Sequence, residues 1–526
     1  MHTTVYSGAI LGIDGLAVEV EVDIARGIPC FSIVGLPNTA VRESRERVTA
    51  ALKNAGWEFP LKRITVNLAP ADIKKEGAAF DLAIAVGILV ASGQATASKK
   101  DEPPVARTLF LGELALDASL RRVPGALPML LHARARGFAR AVVPAANLAE
   151  SRAVESLEVV ACERLRDAVG AVFGASALPD GAGENTDDRR AVVKAADEAP
   201  PTPEPTQTSD THGDMQDVAG QEAVKRALVV AAAGGHHVLM VGPPGAGKTM
   251  LARRFGGILP PLSHHAALQT TMIYSIVGML RNGGILSAPP FRAPHHSASD
   301  AGLIGGGAMP RPGEVTLAHN GVLFMDELPE FRRHVLESLR EPLEEGVITI
   351  SRARSAVTFP ARFQLVAAMN PCPCGYHGSR ERQCRCSPLQ IENYVGKISG
   401  PLLDRIAIHA RVQPVDPQAF RDTARGESTQ AMRTRVIKAR EIQTRRFAGD
   451  GLAVNARIPE RRFREWCRME SDAELLLAQA QRRFRVSARG RAHLIRVART
   501  IADLEGAATI ASRHLAEAIQ YRVPGA

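Results

Sequence analysis

The run Gly242-Pro243-Pro244-Gly245-Ala246-Gly247-Lys248-Thr249 constrains this chain more than any other stretch. It fits G-x-x-x-x-G-K-[ST], and its flanks fit the geometry that pattern needs. His236 to Val241 (HHVLMV) predicts a short buried strand, and Met250-Leu251-Ala252 continues into a helix. Small residues let such a loop wrap a polyphosphate closely, with backbone N–H groups and the helix N-terminus facing its charge. Lys248 then reaches the β- and γ-phosphates, and the Thr249 hydroxyl ligates Mg²⁺. A glycine-rich turn alone would explain neither the strand before the loop nor the Lys-Thr pair after it. The run implies a nucleoside triphosphate.

Further elements follow in order. Gly321-Val322-Leu323-Phe324-Met325-Asp326-Glu327-Leu328 predicts a central parallel strand that delivers two acids to the ligand crevice. Asp326 would hold the Mg²⁺ shell and Glu327 would polarise the attacking water, which points to hydrolysis rather than binding alone. Phe363 to Ala368 predicts the next strand, ending in Met369-Asn370-Pro371, where Asn370 can orient the lytic water. Gly400-Pro401-Leu402-Leu403-Asp404-Arg405-Ile406 places an arginine near a helix end. Supplied by a neighbouring subunit, such an arginine neutralises charge developing on the γ-phosphate.

Taken with Asp217-Val218-Ala219-Gly220-Gln221 and Ser487-Ala488-Arg489, this order resembles the AAA+ ATPases. More narrowly, it is similar to the magnesium-chelatase-like AAA+ proteins of the ComM/YifB type. Phe291-Arg292-Ala293-Pro294-His295-His296, Gly305-Gly306-Gly307, Pro312-Gly313-Glu314, Leu317-Ala318-His319-Asn320 and Asn370-Pro371-Cys372-Pro373-Cys374-Gly375 carry that likeness, which covers nearly the whole chain. The resemblance implies ATP and Mg²⁺ as ligands, Arg405 as arginine finger and Arg489 as second sensor. It implies a homo-oligomeric ring, a hexamer, that works as a motor on single-stranded or branched DNA. Branch migration during natural transformation is the implied task, with recombination proteins as further partners. Ala407 departs from the pattern, standing where the family usually has aspartate. An ATPase subunit of a magnesium-chelatase-type complex, or a remodelling chaperone, fits the same core motifs.

The expected fold class is α/β: a P-loop core with a helical lid, preceded by an α+β domain. With 526 residues there is room for three domains. We expect an N-terminal domain over 1–175, a linker over 176–213, the ATPase core over 214–412 and the lid over 413–526. Pro179 to Gly213 is rich in Pro, Asp, Glu, Thr and Gly, as a flexible linker would be. In the first domain, Val18 to Ile24 predicts an exposed strand and Ile64 to Leu68 another, with helices over Ala40 to Ala55 and Phe80 to Ala91. This domain resembles the Lon-type protease fold through Lys74-Lys75-Glu76-Gly77-Ala78-Ala79 and Leu111-Gly112-Glu113-Leu114. Ala78 and Ala79 occupy the serine region and Pro128 stands near the lysine position, so no activated nucleophile is expected. A structural or DNA-guiding collar is the reading that remains.

The longest apolar run, around Leu82 to Ala91, is shorter than the ~20 residues a membrane helix needs. No basic-then-apolar leader opens the chain, and seven scattered cysteines form no secreted disulfide framework. A cytoplasmic protein without membrane attachment is expected. Residues 431–500 hold 18 Lys/Arg against 7 Asp/Glu, a surplus that favours polyanions or else marks a solvated helical face.

Between the loop helix and the Asp-Glu strand lie about sixty residues, far more than the usual α/β connection. This insert reads as pore-facing, and its adjacent His295 and His296 as structural or pore residues rather than metal ligands. Val347 to Phe359 alternates like a hairpin with Arg352 and Arg354 near its tip, positioned like the DNA-gripping hairpins of related ring helicases. Cys372, Cys374, Cys384 and Cys386 fit either a tetrahedral Zn²⁺ site or unmetallated loop thiols.

Overall fold

The computed structural model describes residues 1–71, 75, 77–96, 105–179, 192–193, 213–280, 284–307, 310–352, 355–379, 382–414 and 426–522. Two compact units emerge, Met1–Glu204 with His264–Leu286, and Pro205–Ser263 with Ser287–Ala526.

An eight-stranded mixed sheet runs through the first unit. The strand expected to be exposed runs Asp14–Ala25 and lies inside that sheet, paired on both sides with His2–Leu11 and Arg63–Ala69. Its alternation is one-sided burial: Val18, Val20, Val22 and Ile24 enter the core while Glu19 and Asp23 face solvent. Helices Thr39–Asn54 and Asp81–Ser92 close over the sheet. The latter is apolar almost all round, as a helix buried on every side must be.

The segment His264–Leu286 belongs to this first unit although the sequence places it inside 214–412. Helix His264–Ile276 sets Leu268 and Met272 against the patch around Leu127 and Leu130. Ser275 fixes it in place, with its hydroxyl on Glu150 Oε2 at 2.5 Å and its carbonyl accepting the Gly125 N–H at 2.8 Å. Leu262 N–H donates to Ser287 O at 2.8 Å, so the chain leaves and re-enters the second unit at one point. Part of the long insert, read from sequence as pore-facing, is therefore a packing element of the other unit.

The second unit holds a parallel five-stranded sheet, in the spatial order Phe291–Arg292, Val322–Met325, Gln364–Met369, Val238–Val241, Ile408–Arg411. Its middle strands are buried on both faces, which accounts for their unbroken apolar sequences. C-terminal to the sheet, the main helices are Thr429–Arg446, Ser471–Phe484, Ala488–Leu504 and Ser512–Arg522. Arg440 and Gln443 of the first donate to the carbonyls of Ala232 and Ala233, which end helix Glu222–Gly234 with no intrahelical partner. Arg446 and Arg499 converge on the buried Asp503, joined by Asn455. Arg433 and Arg496 donate to Gly257 O and Ile458 O. Arg433, Arg440, Arg446, Arg496 and Arg499 thus hold the unit together, whereas Lys438, Arg445, Arg461, Arg464, Arg468, Arg482, Arg483 and Arg485 stay exposed. Among the described residues, no helix is long and apolar enough to cross a membrane.

Candidate nucleotide site

Register brings the site together. Val241 pairs with Met369 on one side and Arg411 on the other, so the loop beginning at Gly242 leaves the sheet beside Asn370 and Val412. A Cβ on Gly242 would stand 2.2 Å from Val412 O, so only glycine fits there. Gly245 and Gly247 take φ of +77° and +88°, a region costly for any side chain. Helix Lys248–Ile258 then starts with Gly247 as its N-cap. No side chain caps the first-turn N–H groups of this helix, the condition under which a helix N-terminus takes an anion.

Lys248 is folded back across this loop. Its Nζ donates to Gly242 O at 2.7 Å, Pro243 O at 2.9 Å and Asn370 Oδ1 at 3.0 Å. Burial lowers its pKa, opposed by the Asp326 and Glu327 carboxylates. Thr249 Oγ1 donates to Asp326 Oδ2 at 2.6 Å. Adjacent oxygen ligands of an octahedral Mg²⁺ stand about 2.9 Å apart, so this pair fits the ion with little movement. The other Asp326 oxygen accepts the Glu327 N–H at 2.9 Å, which fixes the carboxylate's orientation.

Glu327 has φ 51° and ψ 47°, a left-handed conformation that costs a non-glycine residue of order 1 kcal/mol. The turn aims its exposed side chain toward His296, with Nδ1 and Oε2 3.4 Å apart. His296 in turn meets the ring of Phe331 edge-on and lies 4.1 Å, ring to ring, from His295. From sequence the histidine pair read as structural or pore residues; His296 is a partner of the second acid. Nothing in local spacing signals that pairing, because Phe291–Arg292 and Val322–Met325 become neighbours only in the sheet.

Arg405 and Arg489 lie elsewhere in their contacts. The buried Arg405 donates through Nη1 to Pro401 O at 2.5 Å and through Nη2 to Glu344 Oε1. Arg489 Nη2 donates to the same Glu344 oxygen at 2.6 Å. Among the described residues, neither arginine is bonded to the phosphate loop. Sequence reading missed Glu344, an acid without a motif around it. Ala407 is buried in the apolar core, so no charge stands beside Arg405 at that position.

The cysteine loop abuts the phosphate loop, since a Cβ on Gly375 would stand 2.4 Å from Pro244 Cδ. Sγ separations are 3.4 Å for Cys372–Cys374, 3.7 Å for Cys372–Cys384 and 3.6 Å for Cys374–Cys384. Cys386 completes a cluster whose ligand atoms all lie within 4.8 Å. Four thiolates about 2.3 Å from Zn²⁺ stand about 3.8 Å apart, so the donor set fits that ion. Backbone N–H groups of Arg385 and Tyr376 favour the thiolate at Cys374.

The hairpin is present as strands Val347–Arg352 and Ser355–Pro360, paired from Val347 opposite Pro360 to Arg352 opposite Ser355. Ile348, Ile350, Val357 and Phe359 bury one face. Arg354 and the side chain of Arg352 lie outside the described residues.

Three family models match the chain. "Magnesium chelatase, subunit ChlI" covers residues 214–420, "Subunit ChlI of Mg-chelatase" 20–147, and "Magnesium chelatase, subunit ChlI C-terminal" 426–522. Uncharacterized protein YifB of Salmonella typhimurium is 42% identical over 98% of this chain and 96% of its own length. Competence protein ComM of Haemophilus influenzae is likewise 42% identical, over 98% of this chain and 97% of its own. A magnesium-chelatase subunit ChlI of Cyanophora paradoxa is 24% identical over 39% of this chain.

Proposed function

Since the chain belongs to the ComM/YifB-type magnesium-chelatase-like proteins, an AAA+ family that uses ATP and Mg²⁺, we propose that it is an ATP-hydrolysing DNA motor. It works as a ring of copies, a hexamer, in the cytoplasm, on single-stranded or branched DNA. Its task is branch migration while incoming single strands recombine. The observation that carries the nucleotide reading is the convergence of Lys248, Thr249, Asp326, Glu327 and Asn370 at the strand ends of one parallel sheet.

Each residue has a role that follows from its position. The loop from Gly242 to Gly247 encloses the phosphates with backbone N–H groups. Lys248 exchanges its carbonyl partners for β- and γ-oxygens. Thr249 and Asp326 would hold Mg²⁺, which would supply neutralisation of the phosphate charge. Glu327 accepts a proton from the attacking water, and Asn370 orients that water from the opposite side. Arg405, from a neighbouring copy, and Arg489 supply positive charge to the γ-phosphoryl group as it passes from ADP to the attacking water. Cys372, Cys374, Cys384 and Cys386 would hold Zn²⁺, which braces the loop that backs Pro244. Arg352 and Arg354 grip the DNA backbone, and the N-terminal domain serves as a Lon-like, non-proteolytic collar.

The likeness to a competence protein favours DNA as the substrate of the motor. ATP turnover measured with and without single-stranded and forked DNA, together with sizing in ATP, tests this reading. DNA-stimulated turnover in a multimer is expected; a monomer indifferent to DNA would overturn it. The ChlI descriptions of all three matching models favour one rival, an ATPase subunit of a chelatase complex. Partner-dependent metallation of a porphyrin, without any response to DNA, would select the rival.

A further inference from the structure

Two arginines 84 residues apart in number, Arg405 and Arg489, meet on a single carboxylate oxygen, Glu344 Oε1. Their hydrogen bonds and charges hold the Glu344 carboxyl below its ordinary pKa, the Arg405 bond contributing most and Arg340 adding a weaker field. Arg340 is balanced by Glu337 at 3.0 Å, whereas Arg405 and Arg489 share one negative charge between them. One positive charge is left over. Arg405 Nε, moreover, is buried with no hydrogen-bond partner among the described residues. Arg405 itself is only 7% exposed, so water satisfies that donor poorly.

Such a pair suits an anion with more oxygens and more charge than a carboxylate. A terminal phosphate offers three acceptor oxygens, and guanidinium groups match them with paired N–H donors. We propose that Glu344 is a positioning residue that competes with the terminal phosphate of a nucleoside triphosphate for the paired guanidinium groups of Arg405 and Arg489. The inference rests on the nucleotide reading above and adds a residue to it. Because both arginines meet on one oxygen, they serve one phosphate together instead of two pockets separately. Glu344 keeps them side by side with one of their two charges compensated, and the phosphate takes its place.

Removing the competitor's charge should strengthen binding of a triphosphate and leave a diphosphate unaffected. Glu344→Gln keeps the size of the side chain and one acceptor oxygen, and the side chain is 39% exposed, so the substitution should fold. In the full-length chain, calorimetry would compare an ATP analogue with a non-hydrolysable β–γ bridge against ADP. The expected result is an affinity for the analogue tighter by about fivefold or more, with ADP unchanged. Glu344→Ala should move the same way, and the gain should vanish when Arg489→Ala is added. Unchanged analogue affinity in both Glu344 variants overturns the proposal. Equal tightening of ADP overturns it as well, because that would be a general field effect. Lys248→Ala separates this inference from its premise. Analogue binding that survives Lys248→Ala sinks the nucleotide reading itself; binding lost there, with Glu344 variants unchanged, sinks the competition alone.

Discussion

Lys248 Nζ donates a 3.0 Å hydrogen bond to Asn370 Oδ1, tying the phosphate loop to the end of the adjacent strand. The bond makes one unit of the residue proposed to grip the phosphates and the residue proposed to orient water. Lys248→Ala should weaken ATP binding by about a hundredfold or more, since it removes a charged donor from a buried polyanion site. Asn370→Ala should instead lower kcat by about a hundredfold with little change in KM. Steady-state kinetics and equilibrium binding on the two variants check this split.

Among the described residues Glu327 is hydrogen-bonded to neither Lys248 nor Thr249, and its exposed carboxylate is aimed by the left-handed turn at its own position. Glu327→Gln keeps the shape and the turn but cannot take a proton. ATP affinity should stay within about twofold while turnover falls by about 10²–10⁴. Turnover close to that of the parent chain would remove Glu327 from the role of base.

The thiol cluster carries a separate expectation. Metal analysis of the purified chain should return about one Zn²⁺ per chain, and Cys372→Ser should lower that content and the thermal midpoint together. Because Gly375 sits against Pro244, the same variant should also loosen ATP binding, by less than Lys248→Ala does. A chain with full stability and no bound zinc would leave the cysteines as unmetallated thiols.

Acid sensitivity follows from buried imidazoles. Burial pushes His236 down to about 3 and His409 down to about 4, with nearby arginines adding to both shifts. The unfolded chain takes up these protons near pH 6.5, whereas the native chain does not. Stability therefore falls as pH drops below about 6.5 and keeps falling to about pH 3–4, by up to about 1.4 kcal/mol per pH unit for each histidine. Denaturant unfolding at pH 7.5 and 5.5 should show the loss. His236→Gln should reduce its slope, and an unaltered slope would exclude His236 as a contributor.

The nucleotide motifs were legible because each is short and local. Gly242 to Thr249 must follow a strand and open a helix, and the structure does both. Asp326 and Asn370 stand at strand ends that an apolar run predicts. The cysteines could be named but not judged, since their Sγ separations are a property of the folded loop. Glu344 could not be picked out at all, and His296 stood out in the sequence without its partner Glu327. Glu344 is an ordinary side chain until its distant partners arrive, 61 positions away for Arg405 and 145 for Arg489.

By itself the sequence determined the strand–loop–helix conformation around Gly242–Thr249 and the parallel core, because backbone conformation and strand burial depend on neighbours a few residues away. Only the tertiary structure decided what long-range charges do. It turned Arg440, Arg446 and Arg499 of a basic run inward onto carbonyls and Asp503, sent 264–286 into the other unit, and gave two arginines one carboxylate to share. Charged side chains reach several ångströms in any direction, so their partners are set by which surfaces fold together and not by spacing along the chain.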